Sequence, residues 1–182
     1  MGERKKTRQI LVGKVKMGGG APVTIQSMLN TPAEDFAASV EQAKRLEAAG
    51  CEIIRAAIPN LKSVPLIERL KKAVSVPIVA DIHFDYRLAL EAVAAGVDKV
   101  RINPGNIGDE DRVRQVVQCC KQHNVPIRVG VNSGSLEKHI LAKYGHPTAQ
   151  AMVDSALYHV SLIEKYDYDQ IAISIKSSNV QT

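Results

Sequence analysis

Five charged side chains fall toward the ends of predicted apolar strands: Arg55, Asp81, Arg101, Arg128 and Lys176. In Val100-Arg101-Ile102-Asn103, period-two alternation puts Arg101 and Asn103 on one face and Val100 and Ile102 on the other. Arg128, Gly130 and Asn132 repeat that pattern. A single strand-end arginine is ordinarily solvated or salt-bridged, but four cations and one acid at one rim repel each other unless an anion sits among them. Guanidinium forks match phosphate oxygens in bidentate geometry, so the ligand expected is a phosphate, and more specifically a diphosphate. The competing reading, a set of local ion pairs on a barrel end, stays open at this stage. Asp81 and His83 stand two apart on one strand face, where they can share a proton or hold a hydroxyl between them. No third ligand at metal-binding spacing accompanies them, so they read as a pair that positions substrate.

These residues need elements to hold them. Apolar strands are predicted over 23–28, 52–57, 78–82, 127–131 and 170–176, with the Arg101 stretch making a sixth. Pro104 stops that strand and Gly105 frees its backbone. Helices are predicted over 35–49, 64–74, 86–95, 109–122 and 148–166, with Asp109, Glu110 and Asp111 favouring the positive end of their helix dipole. Strands alternating with helices indicate an α/β fold with a parallel sheet. No G-x-G-x-x-G follows the first strand, and polar groups end nearly every strand, so a ring of loops converging on one site is expected. The expected fold class is therefore a (β/α)8 TIM-barrel type, incomplete here, with about six βα units. Residues 1–21 form a basic tail and a short hairpin that ends in Gly18-Gly19-Gly20, and residues 22–182 form the partial, substrate-binding barrel. The irregular stretch 132–147, with a helical run over 136–143, reads as a lid or subunit contact.

Composition narrows the function classes. The chain has 182 residues and a net charge of +5, but its first sixteen residues carry six Lys or Arg against one acid. Of the 24 basic and 19 acidic side chains, 18 of each remain in the rest, so the body is neutral. With aromatics at 4%, a nucleic-acid groove is not expected. No signal-peptide core or eighteen-residue apolar run occurs, so no membrane partner is expected and a cytoplasmic enzyme fits best. Cys51, Cys119 and Cys120 are too few and too awkwardly spaced for a disulfide framework or metal site and read as structural. His123, His139, His146 and His159 read as solvated.

At its motifs the chain resembles the N-terminal barrel of the 4-hydroxy-3-methylbut-2-enyl diphosphate synthases of the non-mevalonate isoprenoid pathway. The likeness runs from about residue 5 to 180. It is carried by Ile25-Gln26-Ser27-Met28, VPIVADIHFDYRLAL at 76–90, VRINPGNIG at 100–108 and IRVGVNSGSLEKHILAKYG at 127–145. The resemblance implies that Arg55, Arg101, Arg128 and Lys176 contact the diphosphate of 2-C-methyl-D-erythritol 2,4-cyclodiphosphate. It implies substrate-facing roles for Asp81, His83 and Asn132, and Asn103 joins them as the strand-face companion of Arg101.

The reaction the resemblance implies is a two-electron reductive ring opening at a [4Fe-4S] cluster fed by flavodoxin or ferredoxin, in a homodimer when full length. Its cluster cysteines and an active-site glutamate fall beyond Thr182, so the iron-sulfur domain is absent from this chain, which is expected to bind no cluster and to lack reductase activity alone. Two other readings compete: a phosphate-binding barrel of the pterin-dependent transferase kind, and a non-catalytic anion-binding module.

Overall fold

The computed structural model describes residues 6–103 and 106–182. It begins with an antiparallel hairpin of β1 (Ile10–Val12) and β2 (Val15–Met17). Then follow β3 (Gln26–Met28), α1 (Phe36–Ala48), β4 (Ile53–Ala57), α2 (Pro65–Ala73), β5 (Ile78–Asp81), α3 (Tyr86–Ala94), β6 (Lys99–Ile102) and α4 (Glu110–His123). The chain continues through β7 (Ile127–Asn132), α5 (Lys138–Tyr144), α6 (Ala149–Glu164) and β8 (Ile171–Lys176). Four helices start on side-chain caps that the sequence supplies: Asp35, Asp85, Asp109 and Thr148 each accept a hydrogen bond from a first-turn N–H.

The main sheet has six parallel strands in the order β3-β4-β5-β6-β7-β8. Each new strand adds on the same side as the last. The order never reverses, so there is no switch point of the doubly wound kind, and the arrangement is an arc of a singly wound barrel. Alternation then sorts the side chains. Ile54, Ala56, Ile78, Ala80, Val100, Ile102, Ile127 and Val129 point outward into the main apolar core with Leu66, Ile67, Leu70, Leu88, Val93, Val113 and Val117 of the helices. On β8 the outward Ile173 and Ile175 stay exposed, because among the described residues no helix follows that strand to cover them.

The inward face is apolar at its base, where Val12 of the hairpin packs with Ile53 and Val79, and Val15 and Met17 lie against them. The hairpin therefore forms the floor of the barrel. The chain reverses at Gly13-Lys14, where Val12 pairs directly with Val15, and the hairpin ends in the expected glycine turn, in which the Ala21 N–H donates to the Gly18 carbonyl at 3.0 Å. Gly13 is required at the reversal, with φ +54° and a would-be Cβ only 3.0 Å from Asp98 Oδ1 and 3.1 Å from Pro77 Cγ.

The first barrel strand is also shorter than expected. Val23 is exposed and outside the ladder, which opens at the carbonyl of Ile25 because β4 offers no partner before Glu52. The Pro104-Gly105 break lies outside the described residues. Replacing Gly13 by Ala forces a left-handed backbone on an L side chain and crowds Asp98, so Gly13→Ala should lower stability by about 1–2 kcal/mol in urea unfolding.

Candidate functional site

The C-terminal ends of β4 to β8 deliver the polar residues to one place because parallel strands share one direction and one alternation. In the ladder Asp81 lies opposite Arg101, Arg101 opposite Arg128, and Asn132 opposite Lys176. Asp81 is buried at the centre. Its Oδ2 accepts from Arg55 Nη2 at 2.5 Å and from His83 Nε2 at 3.2 Å, and its Oδ1 accepts from Arg101 Nη1 at 3.2 Å. A carboxylate only accepts, so Nε2 of His83 carries the proton in this contact.

The Arg101 guanidinium lies over Gly130 of β7 on one side of β6, while its Nη1 reaches Asp81 of β5 on the other. A Cβ on Gly130 would stand 2.5 Å from Arg101 Nε and 2.6 Å from Nη2, so only glycine leaves room for the guanidinium. Among the described residues, Arg128 and Lys176 have no carboxylate within ion-pair distance. Burial, then repulsion from Arg55 and Arg101, push Arg128 below the usual guanidinium range, with Asp81 pulling the other way.

Above this cluster opens a cleft of about 530 Å³. Seven of the eight expected site residues line it: Arg55, His83, Arg101, Asn103, Arg128, Asn132 and Lys176. Asp81 is buried beneath them and holds Arg55 and Arg101. Met28, Phe84, Asn106, Ser135 and Ser174 also line the cleft and were not singled out from sequence. Ser174 had a readable signal, since it lies two residues before Lys176 and opposite Gly130. Ser135 had none, because its place depends on the short 3-10 turn Ser133–Ser135 that ends β7.

Among the described residues no acid lines the cleft, and Arg55 Nε is buried without a hydrogen-bond partner. The local ion-pair reading thus accounts for Asp81 with Arg55 and Arg101, and leaves a net positive surface above them.

The stretch after β7 is pinned by a second buried network. Ser155 Oγ donates to Glu137 Oε2 at 2.7 Å, and His159 Nε2 donates to Glu137 Oε1. His159 is wholly buried, which corrects the expectation that it is solvated. It sits one helical turn after Ser155 on the face of α6 that packs inward with Met152 and Ile163. His123, His139 and His146 are exposed. Because Nε2–H faces a carboxylate, Nδ1 is the bare nitrogen, and it has no partner. Burial holds His159 below its ordinary 6.5 although Glu137 pulls it upward. Burial pushes Glu137 up, but bonds from Ser155, its own backbone and His159 outweigh this and hold it below the usual carboxylate range.

The arrangement defines a class: an incomplete parallel βα barrel with a cation-lined cleft at the C-terminal ends of its strands. Solved barrels share the fold. The 7,8-dihydropteroate synthase of Vibrio fischeri superposes with a TM-score of 0.66 at 15% identity, over 92% of this chain and 66% of that one. The phospho-2-dehydro-3-deoxyheptonate aldolase of Thermotoga maritima gives 0.61 at 17%, over 96% and 48%. At such identities the likeness concerns the fold alone.

The chain belongs to the GcpE TIM-barrel domain family, whose model matches residues 7–182. It is 52% identical over 178 residues to the 4-hydroxy-3-methylbut-2-en-1-yl diphosphate synthase (flavodoxin) of Psychromonas ingrahamii, covering 98% of this chain and 48% of that protein. With the enzyme of the same name from Fusobacterium nucleatum it shares 53% over 177 residues, 97% of this chain and 50% of that protein. The chain spans about half the length of the curated relatives it matches.

Two outcomes test this geometry. Gly130→Ala should displace the Arg101 guanidinium and weaken diphosphate binding by about tenfold or more in calorimetric titration, with the far-UV spectrum unchanged. For His159, the unfolded chain takes up a proton near pH 6.5 that the folded protein resists, so stability is constant above that pH and falls below it until the folded value is passed. His159→Gln removes the titration, and the slope of urea-unfolding free energy between pH 7 and pH 5, at most about 1.4 kcal/mol per pH unit, should become shallower.

Proposed function

We propose that this chain is the substrate-binding barrel of a 4-hydroxy-3-methylbut-2-en-1-yl diphosphate synthase, acting on 2-C-methyl-D-erythritol 2,4-cyclodiphosphate in isoprenoid biosynthesis. The observation that carries this reading is a cleft lined by Arg55, Arg101, Arg128 and Lys176 with no acid among the described residues of its walls. The family membership and the names of the relatives support the particular substrate. Arg128 and Lys176, free of carboxylates among the described residues, take the phosphoryl oxygens most directly. Arg55 and Arg101 are fixed in place by Asp81 and offer their remaining N–H groups. Amides of Asn103 and Asn132 at the same strand ends suit the hydroxyl groups of the erythritol moiety. His83, held by Asp81 through Nε2, borders the mouth of the cleft and orients substrate there.

A [4Fe-4S] cluster would supply the two electrons of the ring opening, delivered from flavodoxin, the donor printed in the relatives' names, or from ferredoxin. The residues present do not fit such a group. Among the described residues no cluster of three or more His, Cys, Asp or Glu side chains could hold a metal. Cys51 donates to the Ile53 carbonyl, and burial pushes the Cys120 thiol far above the ordinary range. No step is therefore assigned to this chain beyond binding and orienting the cyclic diphosphate, and the electron transfer and homodimeric assembly belong to the whole enzyme.

Calorimetric titration of the chain with the cyclic diphosphate, inorganic diphosphate and a pterin tests the reading. Binding of the cyclic diphosphate in preference to the other two is expected, and Arg128→Met should weaken it by about 1.5–3 kcal/mol, the scale of one charge-assisted contact. Pterin binding in its place would assign the chain to the transferase-like barrels. Equal affinity for any phosphate would make it a plain anion-binding module.

A further inference from the structure

Lys99 has no part in the binding roles described so far. It opens β6 on the inward face, two residues before Arg101, and lies opposite Val79 in the ladder. Its side chain is completely buried between the barrel floor and the cationic cluster, and its amine meets Met17 Sδ of the hairpin at 3.5 Å. A thioether is a weak acceptor and compensates little of the cost of drying an ammonium.

Among the described residues, the groups facing Lys99 offer no counter-charge. Arg128 on β7 and Arg55 on β4 act on it as like charges, Val79 on β5 is apolar, and the hairpin presents Met17. The two nearest acids are engaged elsewhere. Asp98 points outward to Lys71 Nζ at 2.6 and 2.7 Å and to the Ile78 N–H at 2.8 Å. Asp81 is held by Arg55, Arg101 and His83. Burial, then Arg128 and Arg55, lower the Lys99 ammonium from the ordinary 10.5 to about 8.

An anion bound among the arginines adds negative charge to the cluster above Lys99, in a setting where charges are poorly screened. We propose that Lys99 is a buried proton acceptor coupled to the cleft, so that the anion binding above draws a proton onto its amine and ligand binding and proton uptake are one event. The inference rests on the diphosphate reading and adds a pH response to it. Below pH 7 the amine is already charged and affinity is flat. Above pH 8 each binding event must also recruit a proton, and affinity falls by up to about tenfold per pH unit.

The 2,4-cyclodiphosphate carries one strongly acidic oxygen on each phosphorus and does not titrate in this range, so any uptake reports on the protein. Titration calorimetry of the chain at pH 8, in two buffers of different ionisation enthalpy, should show about half a proton taken up per ligand bound. Lys99→Met, which keeps the side-chain length without the charge, should show almost none, and Lys99→Arg should bind with a flat pH profile. As a readout independent of both variants, the ε-carbon resonance of Lys99 in the labelled chain should titrate near pH 8 and move to higher pH with ligand.

Binding by the wild-type chain without proton uptake, or unchanged uptake in Lys99→Met, overturns the proposal. So does a Lys99 resonance that titrates at the ordinary lysine value. If the cyclodiphosphate fails to bind at any pH, the diphosphate reading falls, and the ligand-free resonance still decides whether Lys99 is the poised group.

Discussion

A carboxylate taken out of water costs several kcal/mol unless it is paired and hydrogen-bonded, and Asp81 meets that condition by binding Arg55, Arg101 and His83 at once. The rest of the site follows from this one anchor. Two guanidinium groups that would otherwise drift apart by mutual repulsion are drawn to a common point. Each has part of its donor set committed and part facing the cleft. With Arg128 beside them there are three guanidinium groups to a single carboxylate, so the anchor orders the cations without neutralising them. The surplus charge gives the cleft a positive lining, and under the proposed function that geometry exists before the diphosphate arrives.

The barrel around this anchor is layered along its axis. At the floor, Val12, Ile53 and Val79 exclude water, helped by Met17 of the hairpin. At the rim most inward positions of β5 to β8 are polar. Between the two sits Lys99, dry on one side and facing like charges on the other. A hairpin that seemed peripheral thereby acts on the electrostatics of the site, since closing the floor keeps the effective dielectric low and makes each charge above it felt more strongly.

Gly130 and Glu137 show how backbone and loop support the anchor from β7. Gly130 yields the volume that Arg101 occupies, and Glu137 ties the end of the following turn to Ser155 and His159 of α6. Neither role is legible in the chain alone. A glycine between Arg128 and Asn132 reads as a weak strand position until the guanidinium from the neighbouring strand is seen across it. His159 carries no local mark of burial either, because its partner lies 22 residues earlier on a different element.

Alternation along each strand is a local property, set by covalent geometry and readable wherever apolar and polar residues take turns. Residue alternation put Arg101 with Asn103 and Arg128 with Asn132 on one face of their strands, and the alternation of strands with helices indicated a parallel sheet. Long motif strings carried the family. What only tertiary structure decided were the partnerships across strands: that Asp81 is an anchor beneath the cleft, that Arg101 lies over Gly130, that the hairpin turns at Gly13 to close the floor, and that Lys99 is left with a sulfur for company. The reason is physical. Which face a side chain takes depends on its own strand, whereas what it touches there depends on register, shear and the volume left by residues far away in the chain.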